Sequence, residues 1–186
     1  LKTLPLNRAH VKGAVALHRA TRPWCYRGKT ARSVLRAFYD AYANRDFTVG
    51  TVALEEEGVA GVMCGATDPA GPARWLRRRR RWRSLRPRLV GGADMALGGW
   101  DAVTLARAAE GLERPSYLVA AATAEELTED GLAALSDAFA AATASRGATH
   151  IVAPSAAPDE RLAIAGFETV KADIAGEGFA LYVRKL

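Results

Sequence analysis

Residues 116–171, SYLVAAATAEELTEDGLAALSDAFAAATASRGATHIVAPSAAPDERLAIAGFETVK, set the fold of this chain. They divide into a strand (SYLVAAAT), an acidic turn (AEELTEDG), a helix (LAALSDAFAAATASRG), a strand (HIVAP), a short helix and the closing GFETV. A strand that runs straight into a helix aims the helix's unpaired N–H groups beyond the strand end, where phosphates are commonly held. The arrangement therefore implies a phosphate-bearing ligand. The side chains oppose it, because Glu125, Glu126, Glu129 and Asp130 crowd the turn, and a phosphate cradle needs close backbone approach without competing negative charge.

Upstream of this stretch, LKTLPL reads as a first strand, and Asn7 is placed to cap a helix from about Arg8 to Thr21. Arg22-Pro23 stops that helix, since the residue before a proline is driven out of the α region. A second helix follows Thr30, with Val34, Leu35, Phe38, Tyr39 and Tyr42 as its apolar stripe. FTVGTVALEEEGVAGVMCGATD is a hairpin signal: two runs rich in Val, Ala and Leu flank Glu56-Glu57-Gly58. Asp68-Pro69-Ala70-Gly71-Pro72 then opens an insertion over about 69–115. Its ARWLRRRRRWRSLRPRLV predicts a basic amphipathic helix ending before Pro87. A further helix is expected from about Asp101 to Gly111, and a last hairpin around Ala175-Gly176-Glu177-Gly178.

The order of these parts resembles the GNAT superfamily of acyl-CoA-dependent N-acyltransferases along the whole chain. In that family a strand ending V-x-P-E leads into a glycine-rich loop at the mouth of a helix, and a later N-x-x-A-x-x-x-Y-x-x-x-G-F supplies a tyrosine that protonates the departing thiolate. Here Ala122-Thr123-Ala124-Glu125 stands where V-x-P-E belongs, and Gly166-Phe167 matches the closing G-F. The loop's Arg/Gln position falls on Leu127, and its small residues fall on Thr128, Asp130 and Leu132, with Gly131 retained. The asparagine position is Ser155, the tyrosine position is Leu162, and an acidic position at the strand start is Ser116.

The resemblance implies an α/β (α+β) fold: a single domain over 1–186, with a mixed, mostly antiparallel sheet of about six or seven strands flanked by helices. The Arg-rich insertion would lie between the third and fourth strands. It implies acetyl-CoA or another acyl-CoA as cofactor, gripped by Leu118, Val119, Ala120, Ala121 and Ala122 along the strand. Glu129, Asp130, Gly131 and Leu132 would meet it at the helix mouth. The acceptor groove would be met by Trp24, Cys25, Tyr26 and Tyr39. With Leu162 in the tyrosine's place, Tyr117, His18 and Ser155 are the candidate proton carriers.

The charge is uneven. Residues 1–54 carry ten basic and two acidic side chains, residues 73–88 carry nine Arg and no acid, and residues 89–186 carry seven basic and 14 acidic. Arg74 to Arg88 is therefore a candidate docking face for an anionic partner. Cys25 and Cys64 form no CxxC and have no paired histidines, so no metal site and no disulfide framework is expected. No apolar run approaches a membrane span, and a cytoplasmic location is the default. The expected activity is transfer of an acyl group from a CoA or pantetheine thioester to an amine on a small-molecule or carrier-bound substrate, with a homodimer compatible. The alternative is a fold kept as a binding or regulatory module, or turned to another reaction, such as decarboxylation, hydrolysis or condensation, in a specialised biosynthetic pathway.

Overall fold

A computed structural model describes residues 1–21, 29–43, 48–56, 58–68, 107, 109–156, 159–172 and 179–186. Its elements are β1 (Lys2–Pro5), α1 (Val11–Thr21), α2 (Lys29–Tyr42), β2 (Thr48–Glu55), β3 (Gly58–Ala66), β4 (Pro115–Thr123), α3 (Glu129–Ala144), β5 (His150–Ala156), α4 (Glu160–Ile164), β6 (Glu168–Ala172) and β7 (Phe179–Lys185). The strands form one sheet in the order β1-β2-β3-β4-β5-β7-β6. Every neighbouring pair is antiparallel except β4 and β5. The expected mixed, mostly antiparallel sheet of an α/β domain is therefore present. The Arg-rich stretch read as a helix and Trp24, Cys25 and Tyr26 lie outside the described residues, as does most of the helix expected before Gly111.

Strand alternation divides the core into two layers. Val52, Val62, Cys64 and Val152 face α1 and α2, where they meet Ala14, Leu35, Phe38 and Tyr39. Their neighbours Ala53, Met63 and Ile151 face α3 and α4, where they meet Leu135, Phe139 and Leu162. The alanine-rich sequence of α3 lets it lie close on the strands, with Phe139 as its one large ring, fully buried at 0% exposure. Gly65 is the counterpart of that ring. A Cβ there would stand 2.6 Å from Phe139 Cζ and 2.8 Å from the Tyr117 carbonyl oxygen, so only glycine admits both.

Two helix starts differ from the sequence reading. Asn7 caps the turn before α1, its Oδ1 accepting from the Ala9 amide at 2.9 Å, and the helix itself begins at Val11. The start of α3 comes three residues before Leu132, because Thr128 is an N-cap whose Oγ1 accepts from the Gly131 amide at 3.1 Å. Acidic residues suit this first turn, where they meet the positive end of the helix dipole. At the other side of the layer α4 ends in a left-handed Gly166, φ +80°, with the Gly166 and Phe167 amides returning to Ala163 and Leu162. Arg184 ties this turn to α3: its Nη1 donates to Ser136 Oγ at 2.6 Å and to the Ala165 carbonyl at 2.9 Å, and its Nη2 pairs with Asp137.

The layer under α1 and α2 holds two acids kept neutral. Burial pushes the Cys64 thiol far above its ordinary value, and burial, followed by the nearby Cys64, raises the Tyr42 phenol. Above about pH 8.5, the ordinary thiol value, the unfolded chain loses the thiol proton, and above about pH 10 the phenol proton, while the folded chain keeps both, so stability falls as pH rises. Urea denaturation at pH 7.5 and 10.5 is expected to show a loss of about 2–3 kcal/mol from the thiol alone. Cys64→Ala is expected to flatten that dependence.

Candidate active site

β4 and β5 begin as parallel neighbours, pairing Pro115 with His150, Ser116 with Ile151 and Tyr117 with Val152. Beyond Tyr117 they part. β4 continues to Thr123 against β3 alone, while β5 continues to Ala156 against β7 alone. A bulge accompanies the parting: Cys64 pairs with Ala120 and Gly65 with Leu118, leaving Val119 as the extra residue of β4. The result is a wedge in the sheet, with its vertex at Tyr117 and its open end at Thr123.

The backbone facing this wedge can be assigned. The Ala124 amide donates to the Ala60 carbonyl at 2.8 Å, so Ala124 turns its polar backbone toward β3. Alternation then sends Ala122 the same way and points the N–H and C=O of Ala121 and Thr123 into the wedge. Among the described residues they have no strand partner there. Small side chains at Ala120, Ala121 and Ala122 keep the approach to this edge open.

The polar side chains at the wedge gather on its α3–α4 side. Ser155, on the diverging arm of β5, donates its hydroxyl to Asp159 Oδ2 at 2.5 Å. Asp159 also caps α4 through Oδ1, which accepts from the Leu162 amide at 3.1 Å, and its own amide donates to Tyr182 Oη at 2.8 Å. Arg161 reaches from α4 to the opposite arm, where its Nη1 donates to Thr123 Oγ1 at 2.5 Å. Neither Arg161 nor Asp159 stood out in the sequence. The capping spacing Asp159 to Leu162 could have flagged the second, and nothing local marks the first, whose partner lies 38 positions away.

The remaining sequence candidates are placed as follows. Tyr117 sits at the vertex, turned to the α1–α2 layer, its phenol raised above the ordinary value by burial and then by the Asp68 carboxylate. His18 and Tyr39 are both buried and joined by a 2.6 Å hydrogen bond between Nδ1 and the phenol, which holds α1 on α2. Leu162, in the family's tyrosine position, is buried in the core beneath α4. Gly131 lies under Leu127, whose Cδ1 would be 2.7 Å from a Cβ at that glycine. Beyond the end of β4 opens a cavity of about 630 Å³, and its lining includes Glu55, Glu56 and Glu126. No cluster able to hold a metal ion occurs among the described residues.

By sequence, neither a family model nor a curated protein matches this chain. Solved structures match it in fold. A GNAT-family acetyltransferase from Streptococcus pneumoniae superposes with a TM-score of 0.59 at 11% identity, covering 100% of this chain and 98% of that one. PaiA N-acetyltransferase from Thermoplasma acidophilum, in complex with coenzyme A, gives 0.56 at 9% identity, with 100% and 98% covered. The C-terminal condensation domain of Ebony, in complex with beta-alanyl-dopamine, gives 0.58 at 11%, again with 100% and 98% covered. The chain has the GNAT fold.

Proposed function

We propose that this chain is an acyltransferase that lays the pantetheine arm of a thioester along β4 in the wedge and passes the acyl group to an amine. The observation that carries this reading is the free backbone edge of Ala121 and Thr123, which an extended arm with its own amides completes as an added strand would. Leu118 to Ala122 flank the arm, and the carbonyl to be attacked lies near the vertex. Acyl-CoA and carrier-bound thioesters both present such an arm. The likeness to a neighbour solved with coenzyme A supports this class of donor.

In the reaction the amine nitrogen attacks the thioester carbonyl carbon, the C–N bond forms, the C–S bond breaks, and the proton lost by nitrogen ends on the thiolate sulfur. Holding the two reactants together supplies much of the acceleration. Ser155, three residues along β5 from the vertex pair of Tyr117 and Val152, is the proposed proton carrier through an intervening water: the water takes the amine proton and passes one to Ser155 Oγ while the Ser155 proton moves to Asp159, and the return path delivers a proton to sulfur. Tyr117, kept protonated, offers a phenol at the vertex. The segment joining α1 to α2, with Trp24, Cys25 and Tyr26, is the proposed contact for the acceptor.

The test is release of free thiol from S-acetyl-pantetheine and acetyl-CoA across a panel of primary amines. Amine-dependent release is expected, with Ser155→Ala lowering kcat about a hundredfold and moving the donor KM little. A second reading, a binding module without chemistry, is favoured by buried Leu162 in place of the tyrosine. Arm binding without turnover on any amine would select it.

A further inference from the structure

We infer that the thioester donor is carried on a 4′-phosphopantetheine arm bearing one phosphate, without the adenosine diphosphate part of coenzyme A, and that Arg161 takes that phosphate. This rests on the wedge being a pantetheine site, and it specifies which pantetheine.

The mouth of α3 does not fit a diphosphate. Of its first amides, Gly131 is taken by Thr128 Oγ1 at 3.1 Å and Leu132 by the Thr128 carbonyl at 2.9 Å. The Leu127 side chain fills the space over Gly131. The amides left, those of Glu129 and Asp130, belong to exposed residues that carry carboxylates. Glu125 and Glu126 add two more, and all lie within the short stretch where charges at this spacing are poorly screened. Each additional phosphate of coenzyme A meets more repulsion there.

At the other side of the open end Arg161 offers a guanidinium, with the neighbouring Asp159 carboxylate engaged by Ser155 Oγ and the Leu162 amide. Arg161 is exposed, it makes no ion pair among the described residues, and the bond to Thr123 Oγ1 leaves most of its guanidinium N–H groups free for an anion. That bond ties α4 to the β4 arm at the wedge's open end. From Tyr117 to Thr123 an extended strand covers about 20 Å, a length comparable to that of an extended pantetheine arm. A thioester at the vertex therefore brings the phosphate end of the arm to Arg161. One guanidinium matches one phosphodiester or phosphomonoester, and both the free arm and an arm linked to a carrier protein present it.

The experiment is titration calorimetry of the full chain, without amine, against S-acetyl-pantetheine, S-acetyl-4′-phosphopantetheine, acetyl-CoA and an acetyl-loaded carrier protein. S-acetyl-4′-phosphopantetheine is expected to bind about tenfold more tightly than either S-acetyl-pantetheine or acetyl-CoA. Arg161→Gln should erase the advantage over S-acetyl-pantetheine, and Arg161→Lys should restore part of it. Tighter binding of the loaded carrier than of the free arm assigns a carrier protein as the source, and the reverse order assigns the free arm. Acetyl-CoA binding as tightly as the phosphopantetheine thioester, or a phosphate advantage that survives Arg161→Gln, overturns the inference while leaving the wedge as a donor site. Failure of all four to bind removes the wedge reading itself.

Discussion

Ala121→Pro is expected to keep the fold and to weaken binding of S-acetyl-pantetheine about ten- to hundredfold. The Ala121 amide faces the wedge and takes no part in the β3–β4 ladder, since alternation from the Ala124 to Ala60 bond places it on the opposite edge. Proline at that position removes a donor the sheet does not use, and proline is tolerated in a strand where its missing N–H would face away from a partner. The residue before it, Ala120, is already extended, as a residue preceding proline must be. What is lost is the bond to the arm, together with the space its ring now takes. Ala122→Pro is the contrasting variant: its amide faces β3, so it is expected to lower the melting temperature. Unchanged affinity in a folded Ala121→Pro protein would show that the arm does not lie on this edge.

Phe139→Ala is expected to cost about 3–5 kcal/mol in urea denaturation. The ring is fully enclosed between α3 and the strands, and it rests on the bare backbone of Gly65. Partial relaxation cannot fill the gap from below, because Gly65 has no side chain to move into it. Against a total stability of about 5–15 kcal/mol, the loss is large. It also loosens β4 beside its bulge, so the variant is expected to bind the thioester less tightly as well as to unfold more easily. A loss below 1 kcal/mol would contradict the packing described.

Much of the fold is legible in the sequence because its signals are local. The hairpin of β2 and β3 shows in two apolar runs around Glu56-Glu57-Gly58, and Gly58, paired with Glu55 at the start of β3, takes a positive φ of +129° that favours glycine. Gly166-Phe167 marks the end of α4 for a similar reason, since the left-handed position favours glycine and Phe167 packs beneath it. The acidic residues before Leu132 are less easily read, because they suit a loop and a first helical turn equally, and the choice falls to Thr128 and the amide it caps.

The site is less legible, because it is made by strands parting. No residue type announces that β4 leaves β5 after Tyr117, and the bulge at Val119 has an ordinary strand residue at its centre. His18 bonds Tyr39 across 21 positions and joins α1 to α2, a pairing that no local signal marks. Ser155 lies on the diverging strand, with its Asp159 partner four residues on. Arg161 meets Thr123 only because the chain brings the segment after β5 back over the end of β4.

Residue-resolved amide hydrogen exchange with and without S-acetyl-pantetheine reads out whether the β4–β5 wedge receives the pantetheine arm. The Ala121 and Thr123 amides are expected to exchange quickly in the free protein and to slow by about tenfold or more when the thioester is bound, while Ala122 and Ala124, already bonded to β3, change little. Protection that appears elsewhere and leaves Ala121 and Thr123 unchanged would contradict it.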